Sequence, residues 1–535
     1  MGSRKVMIVG SLLALSLTMW GKAGKVPFAT LRAMADGGTP RVTDVLTNYV
    51  FAEDVTMLLE TKVTDNLYIE GFIVGSPAMF PRNENLEIAW QLGSKSASPK
   101  NNARTIYLES LDGRYGFRLF FDNADDAKNA GRLFGVLELN LRGATLVKEY
   151  DYYVITGLTS DNVIGYEKGT ESDIPAKKKH IAELTDEDIF TWVTLQDCEF
   201  VFKGGAYMNV RETYLPKSKT GRYTGNNWMN SWRRLLYDAE GNSVYLGLDA
   251  KLSNRRNGDG VPQGSGEVAG VLTKSYMPRY GKVREYTLRP PSLEEIRFAK
   301  EAASPWKTIA GWDWNRSSEG IIPAEIGRGF MTTDFQGTIG RFSDCDNPVI
   351  DLPGENPDTR GTYGSVENGA LSLKGRTRDW WNWPSGEPHS ISIAFSTAGM
   401  QGERIVFAWT FAAGRYNQGS SYGYPVDWQV SYSFDGKDFV TIPESSAELH
   451  SLPYTAGEVD GKSYETSAEA GIGYTEHIAC IPASAFGRRK VIVRLSPANR
   501  TVADMAYLHR DVLEATQESK WPCVVNFGEF QVRYR

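Results

Sequence analysis

The segment Asp379-Trp380-Trp381-Asn382-Trp383-Pro384 sets three indoles beside a carboxylate and an amide. Indole rings stack on the apolar face of a sugar while Asn and Asp satisfy its hydroxyls, so Trp380, Trp381 and Trp383 form a candidate glycan platform. Adjacent side chains on a strand face opposite ways, so Trp381 cannot share a face with both other rings. The competing reading is that the rings fill a core. A second candidate is the loop Gly414 to Tyr424, where Arg415, Tyr416, Asn417, Tyr422 and Tyr424 sit on a Gly-rich, adaptable backbone. Binding loops have this composition. Its Gly419-Ser420-Ser421-Tyr422-Gly423 also matches the G-x-S-x-G nucleophile elbow in form, but that elbow needs a strand before it and a helix after it. Here a polar loop leads into strand-like sequence around Trp428, so esterase chemistry is not expected.

Asp344, Asp346 and Asp351, with Glu355 and Asp358 beyond them, offer hard oxygen ligands at short spacing, as a structural Ca²⁺ would need. A solvated turn has the same composition, and the full EF-hand pattern is absent. Apart from that ion no cofactor is expected. The overall charge of -6 is mild and predicts neither a nucleic-acid-coated nor a membrane-coating surface, but residues 199–290 carry 15 Lys and Arg against 8 Asp and Glu. Arg233, Arg234, Arg255, Arg256, Lys274 and Arg279 are interleaved there with Trp228, Trp232, Tyr276, Tyr280 and Tyr286. Cations alternating with stacking rings suit single-stranded nucleic acid, whereas the alternative reading is a basic face docked on the acidic C-terminal part.

Catalytic patterns are sparse. The five histidines are scattered with no H-E-x-x-H, and Gly461-Lys462-Ser463 lacks the upstream Gly of a P-loop. A carboxylate pair assembled only by folding would escape a motif search, so a glycoside hydrolase stays as the second alternative behind nucleic-acid binding. Binding rather than catalysis is the expectation.

Several elements must position these residues. At 535 residues the chain exceeds one compact core. Residues 1–24 read as a signal peptide: Arg4 and Lys5 precede the apolar run Val6 to Trp20, with Gly21 and Ala23 near a cleavage point. Uncleaved, the same run would be an N-terminal anchor. No second apolar stretch reaches the roughly 18 residues of a membrane span. The expected location is extracytoplasmic, and the expected partners are a glycan or a surface protein, with an outer-membrane complex as one setting. Cys198, Cys345, Cys480 and Cys523 form no Cys-x-x-Cys pair, so buried thiols or one disulfide among the last three are expected.

FATLRAM (28–34) reads as a short amphipathic helix. LYIEGFIVG (67–75), RTIYLES (104–110), YGFRLFF (115–121) and RLFGVLELNLRG (132–143) alternate like strands of a small antiparallel barrel. The order then repeats. TIYLESLDGRYGFRLFFD (105–122) matches RRLLYDAEGNSVYLGLDA (233–250) in kind, GVLELNLRGATLV (135–147) matches GEVAGVLTKSYM (266–277), and YVITGL (153–158) matches REYTLRP (284–290). Two related barrels in tandem are expected over 25–180 and 181–300. SLEEIRFAKEAA (292–303) reads as a short helical linker, followed at 305–535 by Trp-, Gly- and Ser-rich strands.

The stretches YIEGFIVGSP, TIYLESLDGRYGFRLFFDN and IAELTDEDIFTWVTLQDCEFVF resemble the OB-like domain of unknown function common in exported Bacteroidota proteins. That resemblance implies fold and compartment and carries no agreed activity. WQVSYSFDGKDF, a late VIVRL strand and a closing FGEFQVRY strand are similar to the galactose-binding-like jelly roll. The expected fold is therefore mainly β, two tandem OB-like barrels followed by a jelly-roll sandwich, and a fold so widely shared does not by itself fix the job.

Overall fold

The computed structural model describes residues 24–40, 58–75, 103–149, 151–203, 234–247, 261–275, 285–299, 304–312, 322–341, 371–375, 377–382, 386–414, 424–443, 445, 447–448, 456–459, 462–465, 475–503, 509–511 and 523–535. The expected leader at 1–24 lies outside them except for Gly24. The described chain is mainly β.

In the first barrel, the strands are Tyr68–Gly75, Thr105–Ser110, Gly116–Phe121, a fourth made of Val136–Asn140 and Thr145–Glu149, and Tyr152–Leu158. The first strand pairs antiparallel with the second and fourth, the second with the third, and the third runs parallel to the fifth through Arg118↔Val154 and Leu119↔Ile155. Thr145–Glu149 completes the path by pairing with the fifth strand. The helix Phe28–Asp36 inserts Phe28, Leu31 and Ala35 into this core, an i, i+3, i+7 stripe. Asn123 caps the helix Ala124–Ala130 by accepting from the Asp126 N–H at 2.8 Å.

Trp192–Phe200, Arg234–Tyr237, Ser243–Leu246, Gly266–Ser275 and Glu285–Arg289 repeat the same pairing order, including a parallel third and fifth strand through Tyr245↔Thr287 and Leu246↔Leu288. Both barrels thus have OB-like topology. Both second-to-third hairpins turn on an Asp and a Gly. The Asp112 carboxylate accepts from Ser110 Oγ and the Arg114 N–H, with Gly113 at φ 73°. Asp238 accepts from the N–H groups of Glu240 and Asn242, with Gly241 at φ 83°. A positive φ suits Gly, and an Asp beside it satisfies the exposed N–H groups.

The segment expected as a helical linker is instead a single 3₁₀ turn, Leu293–Glu295, followed by the strand Ile296–Phe298. Ile296 and Phe298 alternate into the core of the second barrel, and pairing with Gly266–Val268 outweighs the helix propensity of the flanking glutamates.

Residues 307–534 supply two seven-stranded sheets around one core. One contains Lys307–Trp312, Leu371–Gly375, Ile405–Gly414, Thr475–Ile481 and Cys523–Tyr534. The other, here the outer sheet, orders Gly329–Thr333, Ile391–Phe395, Val491–Pro497, Asp427–Ser433 and Val440–Thr441 as neighbours. Ile405, Phe407, Trp409 and Phe411 of the first sheet interlock with Val491, Val493, Leu495, Trp428 and Val430 of the second, which makes a β-sandwich. His477 stacks on Trp409 inside this core, and burial pushes its imidazole down to about 3. Cys480 lies outside any disulfide and its Sγ donates to the Gly241 carbonyl at 3.3 Å, and Cys198 is free and buried.

Two further apolar clusters lie between these units. Tyr107, Val74 and Tyr152 of the first barrel pack on Phe190, Trp192, Ala269 and Val271, with Tyr107 and Phe190 stacked at 4.9 Å. Gly116 permits this approach, because a Cβ there would stand 2.3 Å from the Phe190 carbonyl oxygen. Within the same junction the Glu109 carboxylate accepts from the Trp192 N–H at 2.7 Å, and Lys177 Nζ lies 4.0 Å from its other oxygen. The second junction packs Leu235, Tyr237, Tyr245 and Trp306 on Val406 and Ala408 of the sandwich. Glu476 there accepts from the Leu235 N–H at 2.6 Å and pairs with Arg234 Nε at 2.6 Å, both side chains being 1% exposed. Arg533 donates to the Val201 carbonyl and the Tyr237 hydroxyl.

Candidate binding face

The first sandwich sheet turns its outward residues Val406, Ala408, Glu476 and Arg533 to the second barrel. Among the described residues the outer sheet has no such cover on the Phe330 side, where that ring is 57% exposed. Strand alternation sends Met331, Ile393, Val493 and Val430 into the core and leaves the intervening residues outward. Register arranges those outward residues in rows across the sheet. One row runs Phe330, Ala394, Ile492, Ser433, and the next runs Thr332, Ser392, Arg494, Ser431, Thr441, with Ser433 and Ser431 buried and the rest of both rows half-buried or exposed.

Arg494 occupies the middle of its row. Its Cζ lies 3.3 Å from the centroid of the Phe439 ring, a cation–π seat that holds the guanidinium plane in one orientation. Its Nε is enclosed, and among the described residues no acceptor takes a hydrogen bond from the guanidinium. Burial lowers its pKa while the field of Asp334 raises it, and an arginine so shifted remains cationic at neutral pH. Just ahead of this strand Lys490 is exposed, and Arg488 lies over Phe434 at 4.6 Å. The nearby acids are otherwise engaged. Asp435 accepts from Ser433 Oγ and the N–H groups of Lys437 and Asp438, while Asp334 accepts from the Ser390 N–H and lies 3.7 Å from His389. Hydroxyls that both donate and accept, a fixed cation and an exposed ring together suit a polyhydroxylated ligand.

The residues singled out from sequence fall elsewhere. Trp380, Trp381 and Tyr424 are 1%, 2% and 2% exposed and belong to the sandwich core, with Trp380 edge-on to Trp428. Rings enclosed to that degree present no face to a sugar, so Trp380 and Trp381 of the platform and Tyr424 of the Gly414 to Tyr424 loop are corrected to core packing. Trp383, Arg415, Tyr416, Asn417 and Tyr422 lie outside the described residues, as do Asp344, Asp346 and Asp351. Among the described residues no group of three His, Cys, Asp or Glu could hold a metal.

Of the six cations expected to meet nucleic acid, Arg233, Arg255, Arg256 and Arg279 lie outside the described residues. The other two are corrected. Arg234 pairs with Glu476, and Lys274 donates to Asp151 at 2.9 Å and Asp186 at 2.6 Å. Both cations are consumed in contacts between units. The outer side of the second and third strands, which OB barrels present to oligonucleotides, is also buried in each barrel by the junction clusters. The Arg494 face went unnoticed because no local motif marks it: its members come from five strands spread over 330–441 and 494.

No family model matches the chain, and no curated protein matches it. Among solved structures it is similar to a mannan-recognising carbohydrate-binding module at 13% identity, over 43% of this chain and 98% of that one, with a TM-score of 0.21. A xylan-binding domain from Paenibacillus barcinonensis is similar at 8% identity over 44% and 97% of the two chains, TM-score 0.18. The first cleaved adhesin domain of Lys-gingipain from Porphyromonas gingivalis W83 is similar at 11% identity over 39% and 99%, TM-score 0.17.

Proposed function

We propose that this is an exported glycan-binding protein in which the outer sheet of the sandwich meets the ligand and the two barrels serve as a stiff spacer. The observation carrying this reading is the asymmetry of the sandwich. One sheet is committed to the second barrel through Arg234–Glu476 and a shared apolar cluster, while the other turns outward the hydroxyls of Thr332 and Ser392, Arg494 and the exposed ring of Phe330. Export rests on the basic-then-apolar segment at residues 1–20, and no helix among the described residues is long and apolar enough to cross a membrane. Arg415, Tyr416, Asn417, Tyr422 and Trp383 stay in the proposal on composition alone. A structural Ca²⁺ at Asp344, Asp346 and Asp351 stays on the same footing.

A glycan array with the full chain, repeated with Phe330→Ala, tests the reading. Phe330 is exposed, so its removal should leave the melting temperature unchanged and weaken binding by about tenfold, the worth of one good ring contact. Binding to no glycan, or unaltered binding by the variant, overturns the placement.

A further inference from the structure

Arg494 is the one guanidinium of the outer-sheet rows, and its setting restricts what it can be for. An arginine whose Nε is enclosed and whose fork meets no acceptor among the described residues is costly unless something else supplies the oxygen. The Phe439 ring beneath it holds the plane of the fork, so the cation is oriented before a ligand arrives. A planar fork of this kind matches the two oxygens of a carboxylate. Its row neighbour Ser392 and, beyond it, the exposed Thr332 bring hydroxyls to one side, groups able to donate to and accept from sugar hydroxyls, while Ser431 on the other side is buried. Lys490, exposed and immediately ahead of the strand Val491–Pro497, sets a second cation four residues before Arg494. Two cations, one on the strand and one at its entry, favour a ligand that repeats its negative charge over one that carries it once at a tip.

We propose, building on the glycan-binding reading above, that the outer sheet selects a linear polyuronate, with the Arg494 guanidinium pairing one sugar carboxylate, Lys490 a second along the chain, and Phe330 packing on a ring across the sheet. An acidic peptide offers carboxylates too, but it gains most from a free strand edge. Arg494 lies on an inner strand, paired on both sides by Ile391–Phe395 and Asp427–Ser433, so no backbone groups there are open to it.

The test is calorimetric titration of the full chain with three probes at one ionic strength: polygalacturonate, the same polymer with its carboxyls methyl-esterified, and poly-L-glutamate. Polygalacturonate should bind about tenfold or more tightly than its ester, and poly-L-glutamate should bind at least as weakly as the ester. Arg494→Gln should erase that preference. Lys490→Gln, an exposed change that leaves folding alone, should cut polygalacturonate binding by a few fold and flatten its salt dependence. Equal binding of acid and ester overturns the selection of charge and leaves the glycan-binding reading standing. Tight binding of poly-L-glutamate overturns the sugar part of the inference. Absence of binding by both polymers overturns the inference outright, and the array then decides the broader reading separately. If Arg494→Gln lowers the melting temperature, the Lys490→Gln result still decides.

Discussion

The two junctions that hold the units together use the same device with different compensation. In each, a buried glutamate accepts a backbone N–H from the neighbouring unit, Glu109 from Trp192 and Glu476 from Leu235. Glu476 has a guanidinium at 2.6 Å, whereas the cation beside Glu109 is the ammonium of Lys177 at 4.0 Å, which is itself shared with Asp188 at 3.5 Å and donates to Thr191 Oγ1. Burial therefore pushes Glu109 up to about 8, against the pull of the Trp192 N–H and Lys177 and with the help of Asp112 and Asp188. The difference teaches that one junction is a fixed ion pair and the other a proton-holding contact.

Breaking the fixed pair should have the largest effect. Arg234→Met leaves Glu476 buried without its guanidinium and should cost about 3–5 kcal/mol in chemical denaturation. The double change Arg234→Met with Glu476→Leu should recover most of that, since it removes both desolvated charges at once. Failure to recover would mean that the cation is needed for packing rather than for charge.

The proton-holding junction should respond to pH. Glu109 is raised when folded, so the unfolded chain releases its proton first as pH rises above 4.5, and the folded chain keeps its own until about 8. Stability then falls across that window and is flat above it, by on the order of 3 kcal/mol from this group. Glu109→Gln should remove the slope, read as the difference between variant and parent in denaturation midpoints at pH 5 and pH 8. A parallel pair of curves would return Glu109 to an ordinary ion pair with Lys177. The smallest effect is expected from Lys274→Ala, which severs the tie to Asp151 at the rim of this junction and should cost about 1 kcal/mol.

Much of the fold was legible because it is local. The Asp112-Gly113 turn and the matching Asp238 to Gly241 turn are written in nearby residues, and so is the alternation of Ile106 and Leu108 or Val244 and Leu246 around them. That is why the two hairpins match in sequence, and why Phe28 to Met34 reads as a helix. The site was not legible for the opposite reason. Trp380 and Trp381 look like a platform in a one-dimensional text, yet their burial depends on Phe335 and Trp428, which lie far along the chain. Arg494 has no distinguishing neighbours in sequence, and Phe439 reaches it only through the pairing of Asp427–Ser433 with Val491–Pro497. Excess positive charge at 199–290 was read correctly as a count, but the fates of Arg234 and Lys274 were fixed by partners at positions 476 and 151.

Gly241 tops the hairpin of the second barrel at φ 83°, and a Cβ there would stand 2.7 Å from the sulfur of Cys480 in the sandwich. The two positions limit each other sterically. A barrel that acquires a side chain at 241 needs a sandwich with less bulk at 480, so a swap of either unit for a variant one would be screened at this contact as well as at the Arg234–Glu476 pair before any ligand is met.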